Sequence, residues 1–233
     1  MKAIVKRVLT PILRPRTMSG DCGTYTFAHG VMRVDRVALC NHLLVAGRLA
    51  AYMEIGCRNK RDMNDRILAR RVASVDPDPN AGAEYCMTSD AYFRNHDEKF
   101  DLIFIDGLHT GEQVRRDISN ALTALNPGGF ILLHDMNPPT AFHAREDYEV
   151  DGEFPAWNGT SWEGYAWHRK HSPQLSMCVV DTDWGVGIVQ RGRQTPWDGE
   201  TTGYHVLDSN RKEILNLVSV KDFLKCFPEP SAS

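Results

Sequence analysis

Four short apolar runs alternate with helical or polar segments between residues 51 and 135 and constrain the fold more than any other feature. They are 51–56 (AYMEIG), 72–76 (VASVD), 101–106 (DLIFID) and 129–135 (GFILLHD). Strands buried on both faces are nearly continuous in apolar residues, and their alternation with helices is typical of a parallel sheet with crossover connections. A weaker strand is expected before the segment TSD, residues 88–90. The sequence therefore predicts an α/β fold with a doubly wound, Rossmann-like, mostly parallel sheet.

Helical patterns lie between and after these runs. Apolar residues of 110–125 fall on one helical face, Thr110 is a predicted N-cap, and Gln113 would complete a capping box. Ser89 is predicted to cap the helix that begins DAYFRNH, and Ser219 to cap a short final helix. These helices supply the layers that cover the predicted sheet.

The rest of the chain divides around this alternation. Residues 175–182 and 185–191 have hairpin spacing, which predicts an antiparallel hairpin at a sheet edge. We expect a helical extension or lid over 1–50, a main domain over 51–233, and within it an insertion over 136–174. An insertion that leaves the carboxyl end of a parallel strand is well placed to cover a ligand site.

Composition bounds the function classes. A length of 233 residues and a net charge of −3 fit one soluble domain and do not favour a nucleic-acid partner. The six cysteines form no C-x-x-C pair, which favours reduced thiols and a cytoplasmic location. Residues 1–16 are basic and partly apolar, so a peripheral membrane contact and a terminal helix packed on the domain are both open interpretations.

Six segments in order resemble one enzyme class. The segments are YMEIGCRNKRDM, SVDPDP, MTSDAYF, DLIFIDGLHTGEQVRRDI, NPGGFILLHDMNPP and VVDTDWGVGI. This order is similar to that of class I S-adenosylmethionine-dependent methyltransferases, and more closely to a bacterial branch associated with glycan or secondary-metabolite O-methylation. The resemblance covers about residues 50–190 and implies a sheet of roughly seven strands. It also implies S-adenosylmethionine as cofactor.

The resemblance assigns cofactor contacts to the strand ends. Glu54 and Gly56 would line the methionine end of the cofactor, and Asp76 would accept both ribose hydroxyls. Ser89 and Asp90 would meet the adenine amino group. A strand-end turn is the structural alternative for Asp76, and an acid favoured by the helix dipole is the alternative for Asp90. The loop that begins at Gly56, after the first apolar run, lacks the G-x-G-x-x-G pattern that a nicotinamide dinucleotide requires. This disfavours a hydride-transfer enzyme.

Methyl transfer to a hydroxyl requires a group that removes its proton. His109 follows Asp106 by three residues in a loop past a strand end, and we predict that it is the base. His134 is a second candidate, with a buried core histidine as the alternative. Asp106 would act in the same site or contact the sulfonium side of the cofactor.

A divalent metal is the competing device for lowering the acceptor pKa. Asp106 and Asp135 stand where some relatives hold Mg²⁺. The third ligand is expected at the next position, which is Met136 here, so Asn137, His109 or His134 would have to replace it.

The insertion supplies candidate acceptor contacts. Trp162, Tyr165 and Arg169 recur at helical spacing, and an aromatic face beside polar groups suits a saccharide. His143 and Tyr25 are further candidates. The alternative is that these aromatic residues pack the insertion onto the sheet.

The sequence therefore predicts an S-adenosylmethionine-dependent O-methyltransferase acting on a small molecule, with a sugar or glycoside as the acceptor class. An N-methyltransferase of the same fold, a non-catalytic module that binds an adenosine ligand, and a Rossmann oxidoreductase remain as alternatives. Residues 1–50 could close a lid or build a homo-oligomer, and the sequence does not separate the two.

Overall fold

The predicted parallel strands form the centre of one sheet. In this computed structural model, which describes residues 34–228, seven strands have the order β2-β1-β3-β4-β6-β5-β7. Their bounds are β1 Ala51–Ile55, β2 Arg71–Val75, β3 Phe100–Ile105, β4 Leu125–Leu133, β5 Leu175–Val180, β6 Val186–Arg191 and β7 Leu217–Val218. Strands β1 to β4 pair in parallel, and β6 runs antiparallel to both β4 and β5. The predicted fold class is confirmed.

Six α-helices of the described chain cover the two faces of this sheet. They are α1 Arg36–Ala46, α2 Ser89–Asn95, α3 Gly111–Ala124, α4 Ser161–His171, α5 Tyr204–Leu215 and α6 Val220–Cys226. None of the described helices is long and apolar enough to span a bilayer.

Alternate side chains of each central strand enter different cores. In β1, Met53 and Ile55 belong to the core under α3 and α4, whereas Tyr52 belongs to the core under α1 and α6. Ile103 and Phe104 of β3 divide in the same way. This period of two in a parallel sheet with helices on both faces explains why the strands read as continuous apolar runs.

The helix caps agree with the sequence except in two details. Thr110 caps α3 by accepting a hydrogen bond from the Gln113 amide, as predicted. The Gln113 side chain does not close a capping box, because it donates to Ser89 and Asp117. Thr88, one residue before the predicted cap, accepts from Ala91 and begins α2. Ser219 caps α6, as predicted.

The sheet edge differs from the prediction. The hairpin of β5 and β6 forms, but β5 is not an edge strand, because Val179 and Val180 pair in parallel with Leu217 and Val218 of β7. The weak strand predicted before α2 is reduced to a single bridge between Val75 and Tyr85. Two residues of β7 were too short a run to predict.

The described part of the N-terminal extension packs on the sheet. Helix α1 places Leu39 and Leu43 in the core shared with Tyr52 and Phe104. The basic stretch over 1–16 and Tyr25 lie outside the described residues.

The register brings the predicted polar residues to one edge. Ile55 pairs with Ile105, and Ile105 pairs with Leu133, so β1, β3 and β4 end at the same level. The residues that follow these strands therefore meet at the carboxyl edge, where open α/β sheets bind ligands.

Candidate functional site

A cleft of about 650 Å³ opens at this carboxyl edge. Its size is typical of small-molecule sites. It is lined by residues after β1 to β4, by Arg36 of α1 and by part of the insertion, and these include Glu54, Gly56, Asp76, Asp106, His109, His134, Asp135, Tyr148, Phe154 and Trp157.

Gly56 makes the narrowest part of the first turn. Its φ is +80°, and an added Cβ would lie 2.4 Å from the Asp106 carbonyl oxygen and 2.4 Å from the Gly107 Cα. A side chain has no room here, so the turns after β1 and β3 touch through backbone alone. This close approach fits a turn that must leave space for a ligand.

Glu54 is a buried acid near the end of β1 that lines the cleft. Its side chain lines the cleft although the residue is only 3% exposed, and Oε2 has no hydrogen-bond partner among the described residues. Burial, with the Asp106 charge as a smaller cause, raises the pKa of Glu54 to about 8. An unsatisfied buried carboxyl of this kind is suited to a cationic ligand.

Asp76 follows β2 and lines the same cleft as Glu54. Its Oδ2 accepts a hydrogen bond from the Arg58 amide at 2.8 Å, and Oδ1 accepts one from the Asp78 amide at 2.8 Å. These two bonds fix the carboxylate at the end of β2, and each oxygen retains a lone pair for a ribose hydroxyl. The predicted turn and the predicted ligand contact are therefore compatible at Asp76.

Ser89 and Asp90 do not line the cleft. Ser89 Oγ donates to Asp117 Oδ1 at 2.7 Å, and Asp90 forms an ion pair with Arg116 at 3.5 Å. Their side chains are held by α3, and the structure therefore does not bring these two predicted adenine contacts into the cleft lining.

Two histidines and two aspartates of the cleft lining form a compact cluster. His109 Nε2 lies 3.1 Å from Asp106 Oδ1, and His109 Nδ1 lies 3.3 Å from Asp135 Oδ2. His134 Nδ1 lies 3.4 Å from Asp106 Oδ1 and 3.2 Å from Asp135 Oδ2. We call these four residues the reactive cluster. His134 follows β4 and enters this cluster, which corrects its assignment to the strand interior.

The insertion fixes the loop that carries His109. The Thr160 amide donates to the His109 carbonyl oxygen at 3.0 Å. Gly159, with φ +65°, lies so close that an added Cβ would be 2.1 Å from the same oxygen. Trp157 stacks on the imidazole with ring centroids 5.0 Å apart. The ring therefore has a defined position in the cleft.

Opposite charges dominate the electrostatics of the reactive cluster. Burial opposes protonation of His134 and His109, but the Asp106 and Asp135 carboxylates outweigh it and raise the pKa of both imidazoles. Burial would raise the pKa of Asp106, yet the charge of His134 and hydrogen bonds from both histidines lower it strongly. The raised pKa values mean that the two carboxylates favour uptake of a proton by these imidazoles.

Arg36 and Asp183 extend the cluster and were not predicted. Asp183 Oδ1 lies 3.3 Å from His134 Nε2, and Asp183 accepts hydrogen bonds from the Arg36 amide at 2.9 Å and from its guanidinium at 3.1 Å. Burial opposes this charge, but the hydrogen bond and charge of His134 lower the pKa of Asp183 to about 2. The only sequence signal was the position of Asp183 in the hairpin turn.

Three residues of the cluster could hold a divalent ion. Ligand atoms of Asp106, His134 and Asp135 all lie within 4.8 Å of one another. Asn137 is not the missing ligand, because its side chain accepts from Arg211 at 2.7 Å, and Met136 is buried in the core. Two carboxylates suit Mg²⁺, whereas the imidazole also suits transition metals. The donor set fits a metal with His134 as third ligand.

Trp162, Tyr165 and Arg169 are not on the cleft wall, in contrast to the prediction. Trp162 and Tyr165 are 0% exposed in the core beneath α4, and the Tyr165 hydroxyl donates to the Leu215 carbonyl at 3.2 Å. Arg169 donates to the Ile214 carbonyl at 3.3 Å. The helical spacing was correct, but it places these groups on the buried face.

His143 is buried away from the cleft lining. Its Nδ1 is hydrogen-bonded to Thr140 Oγ1 at 2.7 Å, and its ring lies 5.5 Å from that of Trp184. The prediction of an acceptor contact at His143 is therefore not supported.

Comparisons with known proteins agree with this architecture. Residues 84–136 match the protein family described as "Methyltransferase domain". Among curated proteins, none matches the chain significantly.

Solved structures share the fold at low identity. The methyltransferase PaMTH1 of Podospora anserina, solved with bound S-adenosylhomocysteine (SAH), is 14% identical to this chain. The match covers 67% of this chain and 77% of that chain, with a TM-score of 0.52. Cofactor-bound Rv0187 from MTB is 14% identical, with 83% and 96% covered and a TM-score of 0.50. An O-methyltransferase from Bacillus cereus in complex with SAH is 16% identical, with 80% and 90% covered and a TM-score of 0.46. The likeness to the first two structures shows the class I methyltransferase fold, and in this chain the cleft lies at the carboxyl edge of the parallel strands.

Proposed function

We propose that the protein is an S-adenosylmethionine-dependent O-methyltransferase that acts on a hydroxyl of a small molecule. One observation carries the proposal: three features face the same cleft. They are the unsatisfied buried carboxyl of Glu54, the Gly56 turn without room for a side chain, and the reactive cluster, which can take up a proton. The match of residues 84–136 to a methyltransferase family supports the same reaction class.

The geometry of the cleft supports three of the cofactor contacts that the resemblance implies. Glu54 would pair with the ammonium group at the amino-acid end of S-adenosylmethionine, because its buried Oε2 has no partner among the described residues. Gly56 gives the backbone approach, and Asp76 would accept the ribose hydroxyls. Bound S-adenosylmethionine supplies an activated methyl group on a sulfonium.

His109 is our candidate for the base. It would accept the acceptor's hydroxyl proton as the oxygen takes the methyl group and S-adenosylhomocysteine leaves as a neutral thioether. Asp106 and Asp135 would stabilise the resulting imidazolium. Stacking on Trp157 keeps the ring in place. His134, held by Asp183, would keep its position and charge near the same carboxylates.

A metal would change which group lowers the acceptor pKa. Asp106, His134 and Asp135 would hold the ion, which would lower the pKa of an acceptor hydroxyl near it. The residues fit this role, and His109 would still be in reach of the proton.

The sequence resemblance extends the proposal to a sugar or glycoside acceptor. The five described cysteines are all free thiols, in keeping with the proposed cytoplasmic location. A homo-oligomer, and a membrane contact through residues 1–16, stay as predictions.

Calorimetric titration with S-adenosylhomocysteine tests the proposal, in EDTA and again with Mg²⁺ or Mn²⁺. We expect micromolar binding, with NAD⁺ as a control ligand that does not bind. Radiolabelled methyl transfer to hydroxylated acceptors then tests turnover. Absence of S-adenosylhomocysteine binding under all metal conditions would contradict the methyltransferase assignment, and binding without turnover would favour a non-catalytic module.

A further inference from the structure

Exposed apolar side chains concentrate at the mouth of the cleft. Five large hydrophobic residues of the described chain are exposed, and three of them line this cleft: Leu108 at 60%, Tyr148 at 50% and Phe154 at 60%. Scattered exposed apolar residues need no explanation, but a contiguous patch at the rim of a ligand cleft marks a binding surface.

Tyr148 joins Phe154 to Trp157, and Leu108 lines the same cleft mouth. We call Leu108, Tyr148, Phe154 and Trp157 the aromatic rim. The Tyr148 ring lies 5.0 Å from the ring of Phe154 and 5.1 Å from that of Trp157. Because Trp157 also stacks on His109, the aromatic rim is continuous with the candidate base. A molecule on the rim is therefore adjacent to the reactive cluster.

Arg145 holds the loop that presents this surface. Its guanidinium donates to the carbonyl oxygens of Phe142, Tyr148, Pro155 and Ala156 at 2.7 to 3.0 Å. A turn between them is closed by backbone hydrogen bonds between Val150 and Glu153. Exposed aromatic residues on a loop with this many internal bonds are presented in a fixed arrangement and need little ordering on binding.

The chemistry of the rim selects an apolar partner. Leu108, Phe154, Pro155 and Ala156 offer the cleft no polar side-chain atom, and the Trp157 indole N–H already donates to the Arg145 carbonyl oxygen at 2.7 Å. The Tyr148 hydroxyl is the remaining polar side-chain group of the rim, so most hydroxyls of a free sugar would face this surface without hydrogen-bond partners. A ring or chain with an apolar face would instead be covered by the aromatic side chains.

We infer that the aromatic rim is the acceptor subsite and that the acceptor is amphipathic, with its reacting hydroxyl beside His109 and an aryl or alkyl group on Leu108, Tyr148 and Phe154. This inference rests on the proposed function. It narrows the acceptor from saccharides in general to hydroxyl compounds with an attached apolar group, such as aryl glycosides or phenols.

The test compares two acceptor panels under identical conditions. One panel contains 4-nitrophenyl glycosides and catechols, and the other contains free monosaccharides and their methyl glycosides. Methyl transfer from radiolabelled S-adenosylmethionine is measured, and S-adenosylhomocysteine affinity is measured in parallel. We expect kcat/KM to be about tenfold or more higher for the apolar panel.

Variants locate the effect on the rim. Phe154→Ser and Leu108→Ser should raise KM for the preferred acceptor about tenfold and leave the Kd of S-adenosylhomocysteine unchanged. Leu68→Ser is the matched control, because Leu68 is 67% exposed and does not line the cleft. It should change neither quantity.

The possible failures are distinguishable. Loss of the proposed function would appear as no S-adenosylhomocysteine binding, and the inference would be lost with it. In a protein that binds S-adenosylhomocysteine, equal use of free monosaccharides, turnover of neither panel, or an unchanged KM in both rim variants would overturn the inference alone.

Discussion

Oδ1 of Asp183 lies 3.3 Å from Nε2 of His134, so a carboxylate in the hairpin turn fixes the orientation of a ring at the end of β4. The two residues are 49 positions apart in sequence. Through this contact the turn of the antiparallel hairpin supports the reactive cluster, whose four residues all follow the parallel strands β3 and β4.

Asp183→Asn should destabilise the protein in a pH-dependent way. The folded-state pKa of Asp183 is lowered to about 2, so its contribution is present above the unfolded pKa near 3.8 and is lost as the pH falls through about 2. We expect a loss of about 2 kcal/mol in the free energy of unfolding near pH 7, measured by urea denaturation. The deficit should shrink toward pH 3. Asp65→Asn, at an exposed position, is the control; an equal loss there would contradict the prediction.

Glu54→Gln should increase stability while weakening cofactor binding. Burial raises the pKa of Glu54 to about 8, so the folded state binds a proton that the unfolded state releases near pH 4.5, and stability falls as the pH rises between these values. The glutamine variant lacks this penalty, so its advantage should grow from pH 5 to pH 8. Thermal unfolding at several pH values checks the first effect, and calorimetry with S-adenosylhomocysteine checks the second. A variant that binds as tightly as the wild type would remove Glu54 from the cofactor site.

Gly56→Ala should abolish cofactor binding for a steric reason. The added Cβ would lie 2.4 Å from backbone atoms of Asp106 and Gly107, so the turns after β1 and β3 must separate. Gly128→Ala is a matched control, since Gly128 has φ +79° but nothing within 4 Å of an added Cβ. The control should lose only about 1 to 2 kcal/mol from the unfavourable backbone conformation. Equal behaviour of the two variants in binding would show that the close contact is unimportant.

His109→Gln should reduce kcat about 10² to 10⁴-fold with a small change in cofactor affinity. Asp106 and Asp135 raise the pKa of His109 against the effect of burial. Because a base must be neutral, kcat/KM should rise with pH through a value above the ordinary histidine pKa near 6.5. Steady-state kinetics from pH 6 to pH 10 measure this limb. His171→Gln, at an exposed position, should keep the wild-type profile, and persistence of the limb in His109→Gln would assign it to another group.

Tyr165→Phe should affect stability and leave the acceptor KM unchanged. The variant removes the buried hydrogen bond from the Tyr165 hydroxyl to the Leu215 carbonyl, which costs about 1 to 2 kcal/mol. Denaturation and steady-state kinetics give the two quantities. A raised KM at wild-type stability would return Tyr165 to the acceptor site.

The sequence predicted the features that depend on local pattern. Four apolar runs, three of which end in an acid, located β1 to β4, and a shared carboxyl edge was enough to expect Asp106, His109 and Asp135 in one site. Both caps with a clear side-chain signal, Thr110 and Ser219, formed as expected.

The features that were missed depend on contacts between distant segments. Helical spacing does not say which face of α4 is buried, so Trp162 was expected at the cleft but packs in the core. The pairing of Asp183 with His134 requires the register between β4 and β6, which no local pattern reveals. Arg145 binds backbone carbonyls, and carbonyls carry no sequence signal.

The backbone contact between Gly56 and the Asp106–Gly107 turn couples the proposed cofactor turn to the loop that carries the proposed base. A substitution that moves either turn would move the other. Changes beside the proposed base would therefore also disturb the proposed cofactor turn. The aromatic rim stands on a separate loop that Arg145 organises. New acceptor preferences can therefore arise by exchange of exposed side chains on that loop while the catalytic half of the site stays unchanged.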